Sequence, residues 1–236
     1  MSPIISLATS SCLMSPRRAP LQKYFASDVF HEAMIRYIYE QLLESQISKE
    51  NVPGCVAIIL SPGDLDAHGL EMIRKLIHWS EVVGIDCIAL YAQEDDVETY
   101  HNILSALSRA PAEISLHTKD IVQTFGTNGR IKLLISLGYG GKHEVSEAIK
   151  KLLKDVEAGL ISPQNIDEKT IEANLRFDRK PDLVIRAGGK QLSDFMIWQA
   201  AYSELYFTEV NWNSLRKIDF LRAIRDYQRR ERRFGK

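Results

Sequence analysis

Cys55–Leu60, reading CVAIIL, and Asp86–Ala92, reading DCIALYA, are the two stretches that decide the fold. Each is a short, uninterrupted apolar run, and a strand without polar alternation is one covered on both faces. Between them, Gly69–Val83 carries Leu70, Ile73, Leu76, Ile77 and Val83 at helical spacing, with Gly84 placed as a C-cap. Working outward, a polar helical stretch at Asp95–Leu107 leads to a weaker strand at Ala112–His117. Arg130–Leu137 (RIKLLISL) is a further strand and Glu144–Val156 a helix, and Ser162-Pro163 opens another helical segment. Asp182–Arg186 (DLVIR) and Glu204–Val210 read as strands, Ser193–Ala201 as a short helix, and Leu215–Arg233 as a long basic helix. Upstream, Val29–Ile47 repeats Met34, Ile35, Tyr37, Ile38, Leu42 and Leu43 at the spacing of an amphipathic helix. Buried strands alternating with helices define an α/β fold: one domain with a mostly parallel central sheet flanked by helices. It is expected to span residues 26–236, preceded by a mobile arm over 1–25.

At 236 residues and 45% hydrophobic content, one core can form without disulfides or structural metals. Cys12, Cys55 and Cys87 lack metal-ligand spacing, and the latter two sit in apolar strands, the pattern of buried free thiols in a reducing compartment. No apolar run approaches the ~20 residues that cross a bilayer. A cytoplasmic chain, at most peripheral to a membrane, is the expectation. The net charge of −1 hides an asymmetry: residues 216–236 hold nine Lys/Arg against three acids. Such a tail suits an anionic partner, whether phosphate, membrane headgroups or an acidic protein face. Nothing points to nucleic acid.

Ligands of open α/β sheets bind beyond the carboxyl ends of strands. Two such ends are suggestive here. Gly138–Gly141 follows a strand and precedes a helix, so its N–H groups could face an anion, although such turns are more often only turns. Ile185-Arg186-Ala187-Gly188-Gly189 puts a guanidinium beside glycines that allow close backbone approach, with Ser193 opening the next segment. The sequence carries no G-x-S-x-G elbow, no P-loop and no H-E-x-x-H pair, and its six histidines are scattered singly.

From Pro181 the chain reads PDLVIRAGGKQLSDFMIWQAAYSELYF and ends in ERRFGK. This resembles the cis-prenyltransferases, the undecaprenyl and dehydrodolichyl diphosphate synthase family, in their P-D-L-x-I-R-T-S-G-E-Q-R-x-S-x-F-x-x-W-Q pattern and terminal E-R-R-F-G. Leu137–Asp167 is similar to the family's N-Y-G-G region, and the likeness runs from Val52 to the end. The resemblance implies a parallel-sheet fold with an elongated apolar tunnel. It also implies condensation of isopentenyl diphosphate with an allylic diphosphate, assisted by Mg²⁺. Arg186 and Ser193 match residues that bind isopentenyl diphosphate, and Glu204 matches a magnesium-associated glutamate. The implied dimer contact is Tyr202–Val210 with the helices around it.

The departures matter as much. The family's first strand ends in A-I-I-M-D-G-N-G-R-W-A, whereas here Ser61-Pro62-Gly63-Asp64-Leu65-Asp66 follows, with Ser61 at the aspartate position. About a dozen loop residues have no counterpart, and Asp64 and Asp66 would repel an anion unless metals compensate. Y-A-F-S-x-E-N-W becomes Tyr91-Ala92-Gln93-Glu94-Asp95-Asp96-Val97, and a second arginine falls in a deletion between Gln191 and Leu192. The chain therefore looks like the accessory, Nogo-B-receptor-type subunit of heteromeric cis-prenyltransferases in dolichol-type polyprenyl synthesis. It would be inactive alone, and Arg233 and Gly235 of its R-x-G tail would reach isopentenyl diphosphate in a catalytic partner's site. That assembly would be a heterodimer or heterotetramer, with Mg²⁺ held mainly by the partner. Two alternatives stand beside it. One is a self-sufficient prenyltransferase or terpene-forming relative using Asp64 or Asp66 on a rebuilt loop; the other is a non-enzymatic binding or scaffold protein.

Overall fold

The computed structural model describes residues 21–230 apart from Lys190 and Leu192, with side chains from His31 onward. The described residues divide into two units between Tyr39 and Glu40, and the α/β domain is the second. Of the arm expected over 1–25, residues 1–20 lie outside the described residues, while 21–25 are helical.

Helix α1 runs Leu21–Gln46. Strand β1 (Cys55–Ile59) follows, then α2 (Ala67–Val83), β2 (Cys87–Ala92), α3 (Val97–Leu107), β3 (Ala112–His117), β4 (Val122–Gly126) and β5 (Ile131–Leu137). Helix α4 (Gly141–Glu157), the short α5 (Glu168–Glu172), β6 (Leu183–Ala187), β7 (Glu204–Thr208) and α6 (Lys217–Arg229) complete the order. The strands form one seven-stranded sheet, β4-β3-β5-β2-β1-β6-β7, parallel throughout except for the β3–β4 pair. Strands β1 and β2 are buried at every position, as their unbroken apolar runs require.

From β1 the chain builds outward through β2, then crosses back to lay β6 and β7 on the other side. The β1/β6 seam is thus a topological switch point, and the crevice there is where ligands of open α/β sheets sit. One sheet face is covered by Tyr139, Phe177, Phe195 and Met196 packing on Ala57, Ile59, Ala89, Tyr91 and Val184. Trp212, Phe220, Leu221 and Ile224 are among the residues of the later chain with almost no exposed surface.

Three expectations change. Ser193–Ala201 is a run of turns rather than a helix. Buried Met196 takes φ 50°, a left-handed conformation that interrupts the i→i−4 ladder. Strand β4 is an addition that the reading missed: it pairs only with β3 at the sheet edge and lies largely in solvent, so it shows no apolar pattern. In α1, Met34, Ile35, Tyr37, Ile38 and Leu42 are exposed, and of the apolar stripe only Leu43 is buried. Periodicity reports an apolar face, not what covers it.

Candidate active-site crevice

The carboxyl ends of β1 and β6 are joined by Arg186, the register partner of Ile59. Its Nη1 donates to the carbonyls of Ile59 (2.9 Å) and Ala187 (3.1 Å), Nε to Gln191 O (3.1 Å), and Nη2 to Ser61 Oγ (3.2 Å). Arg186 therefore reaches the predicted crevice and ties the two strand ends together. Glycine identity follows from the same contacts. A Cβ on Gly189 would stand 3.2 Å from the Arg186 guanidinium, and Gly188, at φ 66°, leaves room for the Asn211 side chain. These glycines make room for protein groups.

The connection from Ser61 to α2 is short and closed by its own carboxylates. Asp64 accepts the Ser61 N–H at 2.7 Å, while Asp66 caps α2 by accepting from Gly69 N at 2.8 Å and from Asn213 Nδ2 at 3.3 Å. The Gly63 N–H donates to Glu94 Oε1, an arrangement that needs the positive φ of 85° at Gly63. Burial, opposed by the Ser61 N–H and reinforced by the Glu94 charge, raises the Asp64 carboxyl above the ordinary carboxylate range. The crevice thus holds Arg186 among three carboxylates, each accepting a backbone N–H.

The glycine turn before α4 is answered in the same way. Asp194 supplies its carbonyl to Gly141 N (2.9 Å) and its Oδ2 to Lys142 N (3.0 Å), so the helix N-terminus already holds a carboxylate. A Cβ on Gly140 would lie 2.8 Å from both Asp194 oxygens, and one on Gly141 would lie 2.2 Å from the Asp194 carbonyl. Beside this turn a cavity of about 500 Å³ is lined by Tyr91, Asp95, Lys119, Lys142 and His143 among others. Ser193 caps its own turn by accepting the Phe195 N–H at 3.1 Å.

Glu204 sits on β7, where its Oε2 meets Arg230 Nη1 at 3.0 Å; Arg230 also pairs with Asp226. Among the described residues no three His, Cys, Asp or Glu side chains converge as a metal site would require. Glu204 and Asp226 share the Arg230 guanidinium, and carboxylates already neutralised by an arginine do not fit a hard divalent cation. The tail residues Arg233 and Gly235 lie outside the described residues. So Arg186 and Ser61 come together at the switch point, Ser193 and Glu204 face other partners, and no helix among the described residues is long and apolar enough to cross a membrane. Sequence reading missed Glu94 and Asp194 as the groups that fill the crevice and the helix terminus. Neither carries a local signal, because each acts on backbone distant in the chain.

An open α/β sheet with an arginine at its switch point defines the class: a doubly wound protein whose crevice lies beyond the carboxyl ends of β1 and β6. Comparison then gives the family. The profile described as "Putative undecaprenyl diphosphate synthase" matches residues 93–235, and the chain belongs to this cis-prenyltransferase family. A tritrans,polycis-undecaprenyl-diphosphate synthase (geranylgeranyl-diphosphate specific) of Methanocaldococcus jannaschii is 33% identical over 248 residues, covering 84% of this chain and 88% of that protein. A synthase of the same description from Thermoplasma volcanium is 39% identical over 246 residues, covering 84% and 95%. Lavandulyl diphosphate synthase from Lavandula x intermedia shares the fold, with TM-score 0.64 and 23% identity over 78% of this chain and 99% of that one. A probable undecaprenyl diphosphate synthase from Campylobacter jejuni gives TM-score 0.60 and 22% identity over 79% and 100%. Against the Methanocaldococcus protein, 84% of 236 residues is about 198, so about fifty of the 248 aligned positions have no residue here.

Proposed function

We propose that this chain serves cis-prenyl transfer from isopentenyl diphosphate onto an allylic diphosphate as a subunit that depends on a second, loop-bearing chain. The observation that carries this reading is the closed Ser61–Asp66 connection. Its carboxylates are bound to backbone N–H groups, and the Arg186 guanidinium is spent on Ile59, Ala187, Gln191 and Ser61. A diphosphate carries several negative charges, and a crevice with three carboxylates around one committed arginine opposes it. The partner would hold the allylic diphosphate and the Mg²⁺. The Arg233 and Gly235 tail of this chain would supply a guanidinium and a backbone N–H to the partner's isopentenyl diphosphate. Arg186 and Ser193 are what remains of a diphosphate site.

A second reading is favoured by the relatives, several of which are named as synthases in their own right. In it, the chain is a self-sufficient prenyltransferase whose Ser61–Asp66 segment opens when substrate binds. The deciding experiment supplies the purified chain with Mg²⁺, isopentenyl diphosphate and geranylgeranyl diphosphate, alone and then with a family member carrying D-G-N-G-R-W-A. Turnover only in the mixture supports the dependent subunit. Comparable turnover by the chain alone establishes the self-sufficient enzyme.

A further inference from the structure

At the opposite end of the sheet, Cys55 and Cys87 open the neighbouring parallel strands β1 and β2 and are register partners. Their sulfurs lie 2.7 Å apart, with Cys55 4% and Cys87 6% exposed. Both line a cavity of about 760 Å³ at the amino ends of the strands, whose walls include Arg130, Lys132, Arg179 and Lys180. Three acids share that wall, but Asp86 is paired with Arg130, and Asp182 accepts the N–H groups of Gly54 and Cys55. Lys180 is in turn paired with Glu172, which leaves Lys132 and Arg179 with Asp178 in the lining. The cavity is polar, its lining carries four cations against three acids, and it is large enough for a small peptide-like molecule.

We propose that Cys87 and Cys55 form a thiol–disulfide exchange site for an anionic low-molecular-weight disulfide, with Cys87 attacking and Cys55 resolving. The Cys87 thiolate attacks one sulfur of the incoming disulfide, whose S–S bond breaks as the Cys87 mixed disulfide forms. The departing thiolate takes the Cys55 proton. The Cys55 thiolate then attacks the Cys87 sulfur, and the second small thiolate leaves, taking up the proton Cys87 gave up on ionising. Two protein thiols and one disulfide become one protein disulfide and two small thiols, with no electrons unaccounted for.

Geometry favours each step. Adjacent strands lie about 4.7–4.9 Å apart, inside the Cα separation of about 4.4–6.8 Å that disulfides span, so closure requires no movement of the strands. The assignment of roles follows from access: Cys87, unlike Cys55, also lines a second cavity of about 340 Å³ together with Lys132 and Arg179. The hydrogen bond from Cys55, helped by the Arg179 and Lys132 charges against the cost of burial, holds the Cys87 thiol below its ordinary range. That hydrogen bond and burial push the Cys55 thiol well up, as suits a residue that reacts second.

The test uses the full chain with Cys12→Ser, so that the third thiol cannot contribute, and oxidised glutathione as the anionic probe. The proposal expects a mass loss of two hydrogens with residues 55 and 87 linked in the peptide map. Cys55→Ser should retain one glutathione at position 87, and Cys87→Ser none. Arg179→Ala should slow reaction with oxidised glutathione several-fold while leaving reaction with neutral hydroxyethyl disulfide unchanged. If residues 55 and 87 both stay as free thiols in the folded Cys12→Ser chain under excess probe, the proposal is overturned, whatever the other variants do. A Cys55→Ser adduct at a position other than 87 overturns the assignment of the attacking sulfur.

Discussion

Arg186 and Ser61 meet across the seam of β1 and β6, with Nη2 of the arginine 3.2 Å from the serine oxygen. A strand-end cation aimed at a serine hydroxyl and two strand carbonyls is occupied internally, and its removal leaves acceptors without donors. Arg186→Ala is expected to destabilise the fold by about 2–3 kcal/mol, the cost of several orphaned part-buried acceptors. Arg186→Lys should recover less than half, because an ammonium cannot reproduce the planar fork. Denaturant melts of the three proteins check this; equal midpoints would show that the guanidinium does not hold the seam.

Ser61→Asp places a carboxylate against that guanidinium. The expected result is a stability change within about 1 kcal/mol and no turnover by the isolated chain above that of the parent. A large gain in activity would mean that one carboxylate, rather than the missing loop, separates this chain from catalysis.

The tail prediction tests the dependent-subunit reading. In a complex with a loop-bearing partner, Gly235→Ala or deletion of Gly235-Lys236 should lower kcat/KM for isopentenyl diphosphate at least about tenfold while co-purification is unaffected. Unchanged kinetics would remove the tail from the reaction.

Asp194→Ala strips the N-terminus of α4 of its carboxylate. About 1–2 kcal/mol of stability should go with it, as for loss of other helix caps. Asp194→Asn should lose less, since its amide oxygen still accepts from Lys142 N. Thermal melts distinguish the two.

His117 is buried, with Nδ1 unpartnered, and burial followed by the Arg176 charge lowers its pKa from 6.5 to about 4. The unfolded chain therefore binds a proton that the folded chain refuses between these values. Stability is unaffected above pH 6.5 and falls as pH drops toward 4, by roughly 3 kcal/mol at 1.4 kcal/mol per unit. His117→Phe should flatten that slope; an unchanged pH profile would assign the acid sensitivity to another group.

The sheet was legible because β1, β2 and β6 are buried on both faces and their composition shows it. Strand β4 was not legible, since an edge strand in solvent leaves no pattern, and the turns at 194–201 hinge on Met196, a residue type that does not announce a left-handed conformation. Arg186 was found because it stands at a strand end, where topology alone brings chemistry together, and Ser61 because it falls at the aspartate position of the family that the sequence resembles. Glu94 and Asp194 escaped notice because their partners, Gly63 and Lys142, are 31 and 52 residues distant. Local spacing carries no trace of such pairs.

The knitted connection between Ser61 and Asp66 also makes the fold a receptive host for engineering. Strand β1 is anchored independently of it by the sheet, while α2 is held through Trp212 Nε1 on Gly69 O as well as by its Asp66 cap. A longer segment could be spliced between them if it supplies α2 with a new cap. What such a graft must satisfy is specific: Glu94 and Asn213 each lose a partner, and Gly69, where a Cβ would stand 1.7 Å from Asp64 O, records how tightly the present closure is drawn. A chimera that relieves those three positions is the direct way to turn a closed crevice into an open one.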